Sequence, residues 1–128
     1  MKKTLLFAFC IAILSLTSAI ATHETKDNNE WTKNYKGMGY AIAQDIKKAK
    51  DGGFIICGMT VTPPDDVWDA WLLRVDKDGN KLWEKFFGGK GEDVFNCIIE
   101  TEDGYAIAGY TVSLGIQDNK DFWLVKVC

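Results

Sequence analysis

Short runs of apolar residues, each bounded by turn signals, fill the chain from about residue 41 onward. Such runs predict β-strands rather than helices. The turn signals are DGG at 51–53, TPPDD at 62–66 and DKDGN at 76–80. The predicted strands lie at 41–48, 54–60, 69–75, 81–87, 94–101, 105–111 and 121–127. The pattern therefore predicts an all-β protein.

Two of these strands, 54–60 and 69–75, carry apolar side chains on both faces. Trp71, Leu73 and Val75 share one face of the second strand, whereas Leu72 and the aliphatic part of Arg74 share the other. An antiparallel sheet with one face in water would alternate apolar and polar residues. We therefore expect both faces to be covered by stacked sheets.

The chain holds two copies of one pattern, at about 31–82 and 83–128. Aligning Trp31 with Trp83 matches the glycines and turn residues up to Gly52 at an offset of 52. The offset is 51 for 54–62 against 105–113, and 52 again for 69–75 against 121–127. Four strands in about 50 residues is the spacing of a β-propeller blade. The prediction is two four-stranded antiparallel propeller-like blades.

Between Trp83 and Val127 the pattern is W-x(4)-GG-x-G-x-D, then T-x-DG-aromatic-x-I-x-G-x-T-x-S, then D-x-W-L-V-K-V. It resembles a repeat family common in secreted and cell-surface proteins of bacteria and archaea, whose tandem copies form β-propeller-like blades. The resemblance covers nearly all of the chain after residue 30, although Ala41 stands where the second copy has Asp93. It implies propeller blades and export, and it supplies no catalytic residues.

The two ends of the repeated region complement each other. Residues 31–35 match the fourth strand of a blade, whereas the second copy ends at Cys128, the position that matches Asp76. We expect the N-terminal segment to complete the last blade. Two blades cannot close a ring, so either identical chains associate or the sequence is the first part of a longer repeat array. Association is our hypothesis, because an isolated pair would expose sheet edges and apolar faces.

The N-terminus has the pattern of a secretory signal peptide. Lys2 and Lys3 precede an apolar run, and small residues end at Ala21, so we expect cleavage of 1–21, a polar leader at 22–30 and one domain at 31–128. We expect the mature protein to be secreted to the periplasm, cell surface or medium, without membrane insertion. Losing two lysines changes the net charge from −3 to −5, which with a single arginine argues against nucleic-acid partners.

Three cysteines remain after cleavage: Cys57, Cys97 and Cys128. Export permits a disulfide, but an odd number leaves at least one thiol unpaired. Cys57 and Cys97 both lie in apolar strands, where free cysteine behaves as a small buried hydrophobe. Two buried thiols and a bridge between Cys57 and Cys97 both fit the sequence.

The residues argue against catalysis. His23 is the only histidine and Ser113 is the only serine after the signal, so no Ser/His/Asp set can be assembled. We expect neither an enzyme nor a cofactor. A remaining enzyme-linked alternative is a noncatalytic part of a propeller-bearing hydrolase.

Two Asp-x-Trp pairs, Asp69 with Trp71 and Asp121 with Trp123, occur at matching positions. An Asp and a Trp on each blade can hydrogen-bond and stack a sugar, or can instead tie a loop and fill the space between blades. Trp68, in a loop without a match in the second copy, is a further candidate contact.

The segment DKDGN places Asp76, Asp78 and Asn80 around Gly79. An EF-hand loop needs glycine sixth and glutamate twelfth, and this spacing differs. Asp-Gly between two strands indicates a hairpin, and calcium at these three side chains is the alternative. Taken together, the sequence predicts a secreted binding or scaffold module whose partners are a glycan or a cell-surface protein.

Overall fold

A computed structural model describes residues 30–116 and 119–128 of the chain. These residues contain seven β-strands and no helix. The predicted signal peptide and nearly all of the predicted leader lie outside these residues. No helix in the described part could cross a membrane. The strands are β1 (Ala41–Lys48), β2 (Phe54–Thr62), β3 (Val67–Val75), β4 (Lys81–Phe87), β5 (Asp93–Thr101), β6 (Gly104–Thr111) and β7 (Asp121–Val127). The all-β prediction is confirmed.

The strands form two antiparallel sheets in which neighbours in the chain are neighbours in the sheet. Sheet 1 has the order β1-β2-β3-β4, and sheet 2 has the order β5-β6-β7. The prediction of four strands is therefore confirmed for sheet 1 and wrong for sheet 2 in the described residues. Since sheet 2 has no strand matching β4 there, β7 is an edge strand.

Tight turns join the strands where the sequence predicts them. Gly52 and Gly79 both adopt positive φ, 86° and 76°, a conformation that glycine reaches without steric cost. At the second turn Asp76 N donates to Asn80 O, and Gly79 N donates to Asp76 O. Asp76–Asn80 therefore forms the hairpin turn that aligns β3 with β4.

Both sheets contain a β-bulge at the same place in their first strand. The register of β1 against β2 shifts between Ala43 and Asp45, and that of β5 against β6 shifts between Phe95 and Cys97. A bulge bends its strand and increases the local twist. The two first strands are thus bent alike, 52 positions apart.

The main core lies between the two sheets. Apolar side chains of β2 and β3 pack on those of β5, β6 and β7. Each sheet shields the facing side chains of the other from water, so these side chains are buried. Its buried members are Ile55, Cys57, Ala70, Leu72, Phe95, Ile98, Ile107 and Val127.

All three described cysteines are free thiols, and only one of them is buried. Cys57 lies in the core as a small hydrophobe, as expected. Cys97 is exposed, so the expectation that it is buried was wrong; it follows the bulge of β5 on the side of sheet 2 that faces away from sheet 1.

Residues 31–35 were expected to complete the last blade, but in the structure they form no strand and do not join sheet 2 of their own chain. They lie against sheet 1 instead. Trp31 contacts the edge of Phe54 at 6.3 Å between ring centroids, and the Tyr35 hydroxyl donates to Gly79 O at 2.7 Å. The segment is held by these side chains rather than by a ladder of backbone hydrogen bonds.

Candidate functional site

Each sheet has two distinct faces, which we name after matching residues. The leucine face carries Leu72 in sheet 1 and Leu124 in sheet 2, and the tryptophan face carries Trp71 in sheet 1 and Trp123 in sheet 2. Successive side chains of a strand point to opposite faces, so these assignments extend along each strand. In the main core, the leucine face of sheet 1 packs on the tryptophan face of sheet 2.

The leucine face of sheet 2 is free in the described part of the chain. Leu72 is fully buried in sheet 1, whereas Leu124, its match in sheet 2, is 74% exposed. Strand pairing places Leu124 beside Ala108 and Cys97, in one row across the sheet. Further side chains of this face are Ile99, Ala106, Tyr110, Phe122 and Lys126. The result is an exposed apolar surface larger than isolated surface leucines create.

The tryptophan face of sheet 1 is covered only in part. Ile98 is fully buried in sheet 2 by sheet 1, but its match Ile46 is 53% exposed. Tyr35 packs on Trp71 and Leu73, and grooves remain on both sides of it. One groove of about 410 Å³ lies beside Trp31, and one of about 170 Å³ lies beside Trp71. This face thus has room for side chains that the chain itself does not supply in the described residues.

A hydrogen bond joins the two sheets at the bulges. Asp45 in β1 accepts from the backbone N–H of Ile98 in β5 at 3.0 Å. This bond is the main reason that the pKa of Asp45 lies below its ordinary value, and the Lys47 ammonium at 3.0 Å lowers it further. The bond satisfies a backbone donor next to the bulge and fixes sheet 2 against sheet 1.

Asp93, at the start of β5, is fully buried and is held by hydrogen bonds in the second copy alone. Its carboxylate accepts from Gly89 N at 3.0 Å, from the Ser113 hydroxyl at 2.5 Å and from the Thr111 hydroxyl. Ala41 stands at the matching position of the first copy, so the matching hydroxyl, on Thr60, is buried without a partner. One substitution between the copies thus explains an unsatisfied polar atom.

A cation and a carboxylate pair recurs in both copies. Arg74 Nη2 lies 2.5 Å from Asp51, and Lys126 Nζ lies 2.6 Å from Asp103, each pair 52 positions from the other. The cation is the main cause of the lowered pKa of Asp51 and Asp103. Arg74 is buried between the sheets and also donates to the backbone oxygens of Phe54 and Val75, whereas Lys126 is exposed. The difference again follows from which leucine face is covered.

The predicted sugar-binding pair of the first copy, Asp69 and Trp71, is engaged in contacts within the chain. Trp71 is buried, stacks on Phe86 at 5.9 Å and donates through its indole N–H to Glu84 at 3.2 Å. Asp69 accepts from the Thr62 hydroxyl. These contacts fit the loop-tying and packing alternative, and they leave Trp71 little surface for a sugar.

In the matching pair of the second copy, only the tryptophan is packed within the protein. Trp123 stacks on Phe95 at 5.1 Å and meets Phe87 edge-on at 6.2 Å, so it packs between the sheets. Asp121 is exposed at the start of β7. Trp68 lies in β3 opposite Val61 and is half-buried, so its placement in a loop was wrong. The structure does not bring the five candidates together in one site.

Both carboxylate oxygens of Asp76, which would have to bind calcium, accept hydrogen bonds within the turn at 76–80. Oδ1 accepts from the backbone N–H groups of Asp78 and Asn80 at 2.8 Å, and Oδ2 accepts from the Asn80 side chain at 3.0 Å. The Asn80 bonds are the main cause of the lowered pKa of Asp76. Asp78 pairs with Lys77 at 2.9 Å. Within 30–116 and 119–128, no group of three acidic, histidine or cysteine side chains could hold a metal ion.

No family model matches the chain, and no curated protein matches it. The repeat-family resemblance therefore remains an expectation, and the site must be judged from its own geometry.

The sequence led us to expect exposed apolar faces on an isolated pair of blades, but it did not identify which residues form them. The signal was present, because the same repeat that aligns Leu72 with Leu124 also implies that both faces of each sheet need a partner. Whether a matching side chain is buried depends on whether a second sheet packs on its face. The pattern of apolar residues in one strand does not reveal this.

Proposed function

We propose that this protein is an exported, non-enzymatic binding and scaffold module that associates with copies of itself by stacking sheet on sheet. The observation that carries the proposal is the difference in burial at matching positions. Leu72 and Ile98 are buried where sheet 1 meets sheet 2, and their matches Leu124 and Ile46 are exposed on the two free faces. A second copy supplies the missing partner for each face.

The contact within the chain joins two different faces, so its repetition between copies is head to tail. Such a heterologous contact leaves a free leucine face at one end and a free tryptophan face at the other. Copies then add until a rotation closes the ring. In this proposal the two sheets are propeller-like blades, and several chains together make the propeller.

The chemistry of the free faces supports burial rather than lasting exposure. Full burial of a leucine or phenylalanine side chain contributes about 1.5–3 kcal/mol. Phe122 and Leu124 lie side by side on the leucine face of sheet 2, and the grooves beside Tyr35 offer apolar space on the other surface. The stacking contact of the main core is thus repeated with side chains of the same kind.

An assembly of this type repeats every loop several times around a ring. Linked sites of modest affinity then bind a repeated ligand strongly. A glycan or a cell-surface protein is the class of ligand that this arrangement suits. Catalysis is not part of the proposal, because Ser113 is engaged with Asp93 and Gly91 and the described residues contain no histidine.

Light scattering coupled to size-exclusion chromatography tests the proposal on the purified secreted chain. We expect an oligomer, and we expect Leu124→Asp to reduce the mass to that of one chain. Ile116→Asp is the matched control, because Ile116 is 76% exposed like Leu124 but lies in the loop between β6 and β7 rather than in a strand. Association of Leu124→Asp equal to that of the control would overturn the proposal.

A further inference from the structure

Residues 31–35 have the sequence of a β-strand but pair with no sheet in the structure. They match 83–87 of β4 at an offset of 52, with Trp31 on Trp83 and Tyr35 on Phe87. In the structure they have no strand partner, and residues 31–34 are exposed. Their sequence and their local structure therefore disagree.

The position of the segment explains the disagreement. Phe87 of β4 contacts Phe95 and Trp123, on the tryptophan face of sheet 2. Tyr35 packs on Trp71 and Leu73, on the tryptophan face of sheet 1. The segment thus occupies the same position relative to sheet 1 that β4 occupies relative to sheet 2. This is the position expected of the outer strand of a sheet stacked on sheet 1.

Sheet 2 has a free edge where such a strand would pair. β7 pairs with β6 along Asp121–Val127 and has no partner on its other side in the described residues. An edge strand with unpaired N–H and C=O groups is a template for pairing with another chain. The unpaired segment lies on sheet 1 and the unpaired edge belongs to sheet 2, so they lie on opposite sides of the two stacked sheets.

We infer that residues 31–35 of one copy form the fourth strand of sheet 2 in a second copy, pairing antiparallel with its β7. This inference rests on the proposed self-association and names the contact that fixes its register. Strand addition supplies backbone hydrogen bonds, which apolar face stacking alone does not.

The register follows from the pairing of β3 with β4. Leu72 lies opposite Lys85 and Arg74 lies opposite Trp83 in sheet 1. In the matching positions of the repeat, 52 residues away, Leu124 replaces Leu72 and Lys33 replaces Lys85. In the proposed contact, Leu124 of one copy therefore lies opposite Lys33 of the other, and Lys126 lies opposite Trp31. A lysine beside an indole on the neighbouring strand is a favourable cross-strand pair. Within β4 itself, the Lys85 ammonium already lies 5.5 Å from the centre of the Trp83 ring.

Disulfide trapping tests this register between two differently tagged chains, both carrying Cys97→Ser and Cys128→Ser. One chain carries Lys33→Cys and the other carries Leu124→Cys; both positions are exposed, so folding is preserved. Opposite residues of paired strands have Cα atoms about 4.5–5.5 Å apart, within the range that a disulfide spans. We expect at least tenfold more mixed disulfide than from Thr32→Cys with Leu124→Cys, because a shift of one residue changes the face.

A second pair, Trp31→Cys with Lys126→Cys, repeats the test at the other end of the strand. Mixed disulfide at the control level for both pairs, in samples whose mass shows association, would overturn strand addition while leaving face stacking in place. A monomeric mass in every sample would overturn both the inference and the proposed function.

Discussion

Leu72 and Leu124 hold the same register position in sheets 1 and 2, yet Leu72 is fully buried and Leu124 is mostly exposed. The difference comes from the neighbouring sheet alone: sheet 2 covers Leu72, and no described residue covers Leu124. Two chemically identical side chains therefore report separately on folding and on association.

Truncating these two leucines should separate the two processes. Leu72→Ala removes a buried side chain and should lower the free energy of unfolding by about 2–5 kcal/mol. Leu124→Ala should change it by less than about 0.5 kcal/mol in a dilute monomeric sample, as for an exposed surface residue. Urea unfolding at low protein concentration measures both. Equal costs would mean that Leu124 is buried within the single chain.

The unsatisfied hydroxyl of Thr60 should be dispensable, unlike that of Thr111. Thr60→Val removes a buried oxygen without a partner and should leave the free energy of unfolding unchanged or raise it by about 1 kcal/mol. Thr111→Val takes a hydroxyl from the buried Asp93 carboxylate and should lower it by about 1–3 kcal/mol. Denaturant midpoints compare the two variants. A larger loss for Thr60→Val would contradict the assignment of the orphaned atom.

Asp45 should make a stabilising contribution that depends on pH. Its lowered pKa means that the ionised side chain favours the folded state, so the contribution is fully present above the usual value of 3.8 and is lost as pH falls through the lower folded value. Asp45→Ala should cost about 1–2 kcal/mol at neutral pH, allowing for partial exposure. The difference from the native chain should shrink below pH 3.8 in unfolding experiments.

Asp45→Asn is the control for this effect. It keeps an acceptor for Ile98 N–H and removes the titrating charge, so its stability should vary less with pH than that of the native chain. Identical pH profiles for the native chain and for Asp45→Asn would show that the Asp45 charge does not contribute.

The three cysteines should differ in reactivity. Burial is the main cause that raises the pKa of Cys57 to about 12, so its thiolate is nearly absent at pH 8. Cys97 and Cys128 are exposed and should be alkylated at least tenfold faster by iodoacetamide. Peptide mass spectrometry quantifies each site. Protection of Cys97, but not of Cys128, should grow with protein concentration, because Cys97 lies on the leucine face.

Much of the fold could be predicted from the sequence, because its signals are local. Gly52 and Gly79 mark turns that need positive φ, and the apolar runs along the chain predict all seven strands to within two residues at either end. Trp68 was placed in a loop because the turn signal at 62–66 directly precedes it and the predicted strand began only at residue 69, whereas β3 begins at Val67.

The arrangement of faces could not be predicted in the same way. Strands that are apolar on both sides do not show which face meets which, so the exposure of Cys97 and of Leu124 was missed. The position of Tyr35 over Trp71 depends on packing between segments far apart in the chain, and its local sequence indicates only a strand.

A mixing experiment with two interface variants tests head-to-tail stacking most directly. Leu124→Asp damages the leucine face of sheet 2, and Ile46→Asp damages the tryptophan face of sheet 1, so each variant alone should sediment as a monomer. Each variant keeps the face that the other has lost, so an equimolar mixture should sediment as a one-to-one heterodimer. A mixture that remains monomeric, or a single variant that associates as strongly as the native chain, would contradict the account.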